Sequence, residues 1–107
     1  MDSKYMVVFV TAPTTKIGQQ IANKLVADKL AACVNILPEI ISVYTWKDEV
    51  CDDSEVLLII KTKADLFEAL SAAVQATHPY EVPEVLAISV VAGSKSYLNW
   101  ISQVTQL

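Results

Sequence analysis

The apolar residues of this chain fall in short runs whose spacing predicts alternating strands and helices. Residues 5–10 (YMVVFV) form a β-branched and aromatic run, which is typical of a buried strand. Residues 12–14 break this run, and Thr14 or Thr15 can cap a helix that continues to about Lys29. The main apolar residues of that helix recur at helical spacing: Ile17, Ile21 and Leu25.

The next stretch is extended in character and contains a proline. Residues 32–47 predict one long strand, in which Pro38 lacks a hydrogen-bond donor and therefore indicates a bulge or bend. Residues 47–54 (KDEVCDDS) are polar and are expected to form a turn. Residues 56–60 (VLLII) are continuously apolar, which favours a central strand.

The remaining pattern completes a familiar order of elements. We expect a second helix over residues 64–76, a fourth strand over residues 85–91 and a short terminal helix over residues 97–104. The order β-α-β-β-α-β with a terminal helix is the ferredoxin-like, split βαβ arrangement of the α+β class. We therefore predict a four-stranded antiparallel sheet with helices on one face and a bare apolar surface on the other.

Composition favours an oligomer over a membrane protein. The chain has 107 residues, enough for one domain over residues 1–107, and it is 53% hydrophobic with a mean hydropathy of +0.41. No stretch approaches the roughly 20 apolar residues that a spanning helix needs, and residues 5–10 lack the pattern of a signal peptide. So small a domain cannot bury that much apolar surface alone, so we predict a cytoplasmic homo-oligomer without membrane contact.

The charge pattern argues against nucleic acid as a partner. The formal net charge is −4, and all eight basic residues are lysines. Without arginine the chain lacks the planar fork that suits phosphate groups and base edges, and it has no strongly basic stripe. The two cysteines, Cys33 and Cys51, are too few for a disulfide framework, and we expect both to be reduced.

Candidate metal ligands are few. His78 is the only histidine, and it lies in the segment THPYEVPE beside Glu81 and Glu84. Imidazole with carboxylate suits zinc or copper(II), although His78 before a proline also fits a simple helix stop. Cys33 is a soft ligand that would add a copper(I) preference if exposed, or else a small buried apolar residue.

Aromatic and charged residues indicate a ligand cleft more than an active site. The residues with an apolar body and a polar or charged tip are Tyr44, Trp46, Lys61, Tyr80 and Trp100. Such side chains suit the lining of a cleft or a subunit seam. No glycine-rich phosphate loop, CxxC pair or HExxH helix is present, and no spacing indicates a nucleophile beside a base. We therefore expect a protein that is not an enzyme.

Several ordered blocks of the sequence resemble the CutA divalent-cation-tolerance family. They are TAP at 11–13, KLAACVNI at 29–36, SVYTW at 42–46, EVLLIIKT at 55–62, HPYEVPE at 78–84 and YLNWI at 97–101. The resemblance covers nearly the whole chain. It implies a ferredoxin-like subunit assembled as a homotrimer, similar to PII signalling proteins, and a link to tolerance of copper and other divalent ions.

Three positions depart from the pattern of that family. Some members carry a cysteine before TAP and a second histidine before HPY, where this chain has Val10 and Thr77. The turn after the tryptophan usually holds a glycine, where this chain has Asp48, a residue that tolerates the left-handed backbone conformation better than most.

Two functions follow from these observations. The first is a trimer that binds copper, zinc or another divalent cation in clefts between subunits, through His78, Glu81, Glu84 and, if exposed, Cys33. The alternative is a PII-like module that binds a small regulatory molecule in the same clefts. An acylphosphatase-like hydrolase on the same fold would need an arginine to hold phosphate, and the chain has none.

Overall fold

The computed structural model describes residues 3–106, and its elements follow the predicted order. The strands are β1 (Tyr5–Ala12), β2 (Cys33–Trp46), β3 (Glu49–Lys63) and β4 (Val85–Ser89), and the helices are α1 (Thr15–Ala27), α2 (Phe67–Thr77) and α3 (Lys95–Val104). A single 3₁₀ turn, Ala64–Leu66, leads into α2. The split βαβ prediction is therefore confirmed, although α1 and β4 each end two residues before the predicted position.

The four strands form one sheet in the order β2-β3-β1-β4, and every neighbouring pair is antiparallel. The first strand is central: Val8 lies opposite Ile60 of β3 on one side and Ala87 of β4 on the other. The predicted central strand at residues 56–60 lies within β3, which is the second central strand. Because α1 and α2 are both crossovers between strands, they return the chain to the same face of the sheet.

The core fills the space between the sheet and these two helices. The most deeply buried side chains are contributed by β1, β3, α1 and α2: Val8, Val10, Leu58, Ile60, Ile21, Leu25, Leu70 and Val74. Gly18 marks a close approach of α1 to β3, since a Cβ there would lie 3.0 Å from Cγ2 of Val56. Burial of this apolar surface is the main force that holds the fold together.

Both ends of α1 have recognisable caps. The Thr14 side chain accepts a hydrogen bond of 3.2 Å from the Ile17 amide, which confirms the predicted N-cap. At the other end the Leu30 amide donates to the Leu25 carbonyl at 2.9 Å and the Lys29 amide to the Val26 carbonyl at 3.1 Å. Lys29 has a φ of 60°, so a lysine occupies the left-handed position that usually holds glycine.

The hairpin between β2 and β3 is longer than the sequence pattern predicts. Residues 47–54 were expected to form a turn, but only Lys47 and Asp48 do so, with φ values of 50° and 66°. Trp46 pairs with Glu49 directly across this two-residue turn, and the strand continues from there. The prediction was wrong because this part of the hairpin extends beyond the core. Its charged side chains stay in solvent, so a strand can form there without burying them.

Pro38 produces the predicted bulge. The pairing of β2 with β3 shifts by one residue between Leu37 and Ile40, and Glu39 within the bulge has a φ of 57°. A bulge of this kind bends the strand and changes which side chains point to each face.

The second face of the sheet is not fully bare. Tyr5 points to this face, and its hydroxyl lies 2.7 Å from the Ser102 hydroxyl of α3, so α3 covers one end of it. The prediction that every helix packs on one face was therefore wrong for the terminal helix. We call the remainder the open face; it carries Val7, Phe9, Leu57, Ile59, Leu86 and Ile88. Leu86 and Ile88 are 61% and 55% exposed. Within residues 3–106 no helix is long and apolar enough to cross a membrane.

Candidate functional site

A cleft of about 810 Å³ lies between the β2–β3 hairpin and the segment that follows α2. Its hairpin wall contains Ser42, Tyr44, Trp46 and Glu55, and its other wall is formed by residues 79–84. Thr11, from the end of β1, also lines it. The lining contains three glutamates and no basic residue, so its electrostatic character is acidic.

His78 fixes the segment that forms the second wall. Its side chain is only 8% exposed, and its Nδ1 accepts a hydrogen bond of 3.1 Å from the Tyr80 amide. The ring is thus the tautomer that carries its proton on Nε2, which donates to the Thr11 carbonyl at 2.7 Å. Both nitrogens are engaged within the chain, so this geometry disfavours the predicted role of His78 as a metal ligand and makes it a structural tie between β1 and the wall.

Glu55 is a buried carboxylate at the base of the cleft. It is 7% exposed, and its Oε2 accepts a hydrogen bond of 2.9 Å from the Tyr80 hydroxyl. Burial, followed by the hydrogen bond to Glu55 and the charge of Glu55, raises the pKa of the Tyr80 hydroxyl well above its usual range. Its second oxygen has no hydrogen-bond donor among residues 3–106, and it is not sealed from solvent, so it faces the cleft.

Within the described part of the chain, no side-chain cation is paired with this carboxylate. The one ion pair within residues 3–106 joins Lys24 of α1 to Asp28 at the end of that helix, and neither residue lines the cleft. A buried carboxylate without a cationic partner is costly, because it gives up hydration for few compensating contacts. The cleft therefore favours the approach of a positively charged ligand.

Glu84 and Glu81 add to the negative charge of the second wall. Both line the cleft, as predicted for the segment HPYEVPE. Partial desolvation, followed by the charge of Glu55, raises the pKa of the Glu84 carboxyl above its usual value. The like charges of Glu84 and Glu55 are thus unfavourable to each other across the cleft.

Tyr44 and Trp46 form the aromatic rim of the hairpin wall. Each is 40% exposed, so part of each ring is open to solvent. The Tyr44 hydroxyl donates to Oδ2 of Asp53, and this bond, with the charge of Asp53, raises the pKa of Tyr44 to about 12. The Nζ of Lys47 lies 5.8 Å from the centroid of the Trp46 ring, within range of a cation–π contact.

The remaining predicted residues lie elsewhere. Cys33 pairs with Lys61 across β2 and β3, and the Lys61 ammonium donates to the side chain of Asn35. Trp100 lies on α3, with its ring centroid 5.5 Å from that of Tyr97. Burial, with a smaller contribution from the neighbouring Cys33, raises the pKa of the Tyr97 hydroxyl. The predicted site thus separates into the cleft and a second cluster at the opposite end of the sheet.

Neither Glu55 nor Asp53 was among the site residues predicted from the sequence. Asp53 was expected in the turn at residues 47–54, and Glu55 directly follows that stretch. In the structure Asp53 pairs with Ser42 and Glu55 with Ile40, so both carboxylates share a sheet face with Tyr44 and Trp46. Extending β3 back to Glu49 with strict alternation would have placed them there.

The described residues of a single chain do not group enough metal-binding side chains for a complete metal site. Within residues 3–106 no three histidine, cysteine, aspartate or glutamate side chains are grouped closely enough to hold an ion. Cys33 and Cys51 are both free and half-buried.

These features define a class: a small α+β subunit of the split βαβ type, with an acidic, aromatic cleft beside an extended hairpin. The chain belongs to the family described as CutA1 divalent ion tolerance protein, which matches residues 6–104. It is 43% identical over 99 residues to the divalent-cation tolerance protein CutA of Thermus thermophilus, covering 92% of this chain and 96% of that protein. It is 49% identical over 98 residues to mouse Protein CutA, covering 92% of this chain and 55% of the mouse protein.

Solved structures confirm the fold. The crystal structure of CutA1 from Oryza sativa is 45% identical and superposes with a TM-score of 0.94 over 98% of this chain and 96% of that one. The divalent cation tolerance protein from Thermus thermophilus gives 42% identity and a TM-score of 0.93 over 95% and 99% of the two chains. The chain spans little more than half the length of the mammalian and plant relatives it matches, such as those of mouse and Arabidopsis thaliana.

Proposed function

We propose that this chain is a non-enzymatic protein of divalent-ion tolerance that binds a divalent cation in its acidic cleft, with Glu55 and Glu84 as ligands. The observation that carries the proposal is the Glu55 carboxylate, 7% exposed, unpaired with any cation in residues 3–106 and open to the cleft through one oxygen. A bound cation would offset the cost of burying this charge and the repulsion between the two carboxylates.

The donor atoms of the cleft decide which ions suit it. Carboxylate and hydroxyl oxygens favour hard or borderline divalent ions, so the proposal covers zinc and copper(II). Cys33 lies at the other end of the sheet, paired with Lys61, and contributes no sulfur ligand to the cleft.

We further propose that the working unit is a homotrimer in which another copy supplies the remaining ligands. Two apolar residues on the open face are more than half exposed, and the hairpin carries Ile41, Val43 and Val50 at 78%, 69% and 78% exposure. Exposed apolar surface on this scale is typical of an interface between subunits. The cytoplasmic location stays a prediction.

Calorimetric titration with Zn²⁺ and Cu²⁺ tests the metal site. We expect Glu84→Gln and Glu55→Gln each to weaken binding by about tenfold or more, equivalent to about 1.4 kcal/mol. Glu68→Gln, an exposed glutamate on α2, is the matched control and should bind as the wild type does. Equal binding by wild type and both cleft variants would refute the assignment.

Light scattering tests the assembly separately. We expect a particle of three times the 11.7 kDa of one chain. A monomeric mass at micromolar concentration would contradict the trimer.

The cleft also supports the second candidate, a PII-like regulatory module that binds a small molecule. Its volume of about 810 Å³ is larger than a single ion needs, and its aromatic rim suits an organic ligand. A melting temperature that rises with one metabolite and ignores divalent ions would favour this alternative.

A further inference from the structure

The cleft combines carboxylates with open aromatic faces, a pairing that an inorganic ion does not require. Tyr44, Trp46 and Tyr80 keep 40%, 40% and 38% of their surface exposed although each lines the cleft. A divalent ion held by oxygen atoms gains little from the face of a ring. We propose that the cleft also binds an organic cation of the alkylammonium class, with its charge near Glu55 and its alkyl groups against the three rings.

The charge of the cleft selects for a cation. The lining holds three glutamates and no basic residue, and Glu55 has no ion-pair partner within residues 3–106. An anionic metabolite would meet Glu55, Glu81 and Glu84 without any lining residue of opposite charge. An ammonium group would meet complementary charge on both walls of the cleft.

The remaining lining selects for alkyl groups on that cation. Val82, which is 68% exposed, and the prolines Pro79 and Pro83 add apolar surface to the second wall. An ammonium group that carries methyl or longer substituents contacts such surface and still interacts with aromatic faces through its spread charge.

An ammonium group of the chain itself already lies near the rim. The Lys47 Nζ lies 5.8 Å from the centroid of the Trp46 ring. Cation–π attraction of this kind is strongest with tryptophan and increases when the site is desolvated. Replacement of Trp46 should therefore weaken the binding of an ammonium ligand more than replacement of either tyrosine.

The rings distinguish this inference from the metal proposal, because both ligands would use the carboxylates of the cleft and only the organic cation would use the rings. NMR titration with tetramethylammonium measures affinity, and intermolecular contacts from its methyl protons to the Trp46 ring locate it. The neutral comparison is tert-butanol, which has similar size and no charge. The variants are Trp46→Leu, Trp46→Phe and, as matched control, Trp100→Leu on α3.

We expect wild type to bind tetramethylammonium at least about threefold more tightly than tert-butanol. Trp46→Leu should weaken that binding about two- to thirtyfold, Trp46→Phe should retain most of it, and Trp100→Leu should leave it unchanged. Trp46→Leu should not change Zn²⁺ binding, so failure of this proposal is distinguishable from failure of the metal site. Equal binding of the two probes, or undiminished binding by Trp46→Leu, would overturn the inference.

Discussion

Removal of the Tyr80 hydroxyl should destabilise this fold more than removal of an equivalent hydroxyl elsewhere. In Tyr80→Phe the buried Oε2 of Glu55 loses a 2.9 Å hydrogen bond and keeps its charge. Hydrogen bonds to charged groups contribute about 1.5–3 kcal/mol, against about 0.5–1.5 kcal/mol for neutral pairs. Because Tyr80 is 38% exposed and water in the cleft can replace part of the bond, we expect a loss near the lower bound, about 1.5 kcal/mol.

Tyr5→Phe is the matched comparison, because its hydroxyl lies 2.7 Å from the neutral hydroxyl of Ser102. We expect that variant to lose about 0.5–1 kcal/mol. Urea unfolding at one fixed protein concentration gives the free energies of unfolding, since dissociation of an oligomer would otherwise change the apparent values.

A double-mutant cycle with Glu55→Leu isolates the pair. If the reasoning is correct, Tyr80→Phe costs about 1 kcal/mol less in the Glu55→Leu background, because no buried carboxylate is left without its donor. The reasoning would be refuted by an equal cost in both backgrounds, or by a Tyr80→Phe cost no greater than that of Tyr5→Phe.

Two further outcomes follow from the backbone and from the tyrosines. Lys29→Gly should raise the free energy of unfolding by up to about 1 kcal/mol in urea, because Lys29 has a φ of 60° at the end of α1; Lys29→Ala should give no such gain. The raised pKa values of Tyr80 and Tyr44 mean that the fold binds their protons more tightly than the unfolded chain does. The stability that the two protonated tyrosines contribute should be complete below pH of about 10 and be lost as the pH rises further. The fall in melting temperature between pH of about 8 and 11 should therefore be smaller in Tyr80→Phe than in the wild type.

The order of elements could be predicted because each buried segment carries its own periodic pattern and a local stop signal. Thr14 capped α1 and Pro38 bent β2 as predicted, since both effects depend on neighbouring backbone alone. The outer hairpin could not be predicted in this way. Asp52, Asp53 and Ser54 are all exposed in β3, and a strand without a buried face needs no alternation of apolar and polar residues.

The candidate site was predicted in part for the same reason. Tyr44, Trp46, Tyr80, Glu81 and Glu84 line the cleft together, because aromatic and charged residues in extended segments commonly collect at such surfaces. Lys61, Cys33 and Trp100 lie outside the lining of this cleft in a single chain. The sequence does not reveal which end of a strand lies beside a distant loop.

The contacts of His78 and Glu55 could not be predicted from the sequence because they depend on burial. A lone histidine before proline offers no local sign that both ring nitrogens will be hydrogen-bonded, as they are to Thr11 and Tyr80. A glutamate beside an apolar run offers no sign that its carboxylate will be enclosed.

The bulge at Pro38 is what places the aromatic rim and the carboxylates on one face. Before the bulge, Leu37 lies opposite Leu57 on the open face; after it, Ile40 lies opposite Glu55, so the pairing has shifted by one residue. A one-residue shift in a strand reverses the face of every side chain that follows. Without the bulge, Tyr44 and Trp46 would therefore point away from Glu55. The proline that interrupts the apolar pattern of β2 is thus the feature that assembles the cleft, and it does so from a position that lines no part of it.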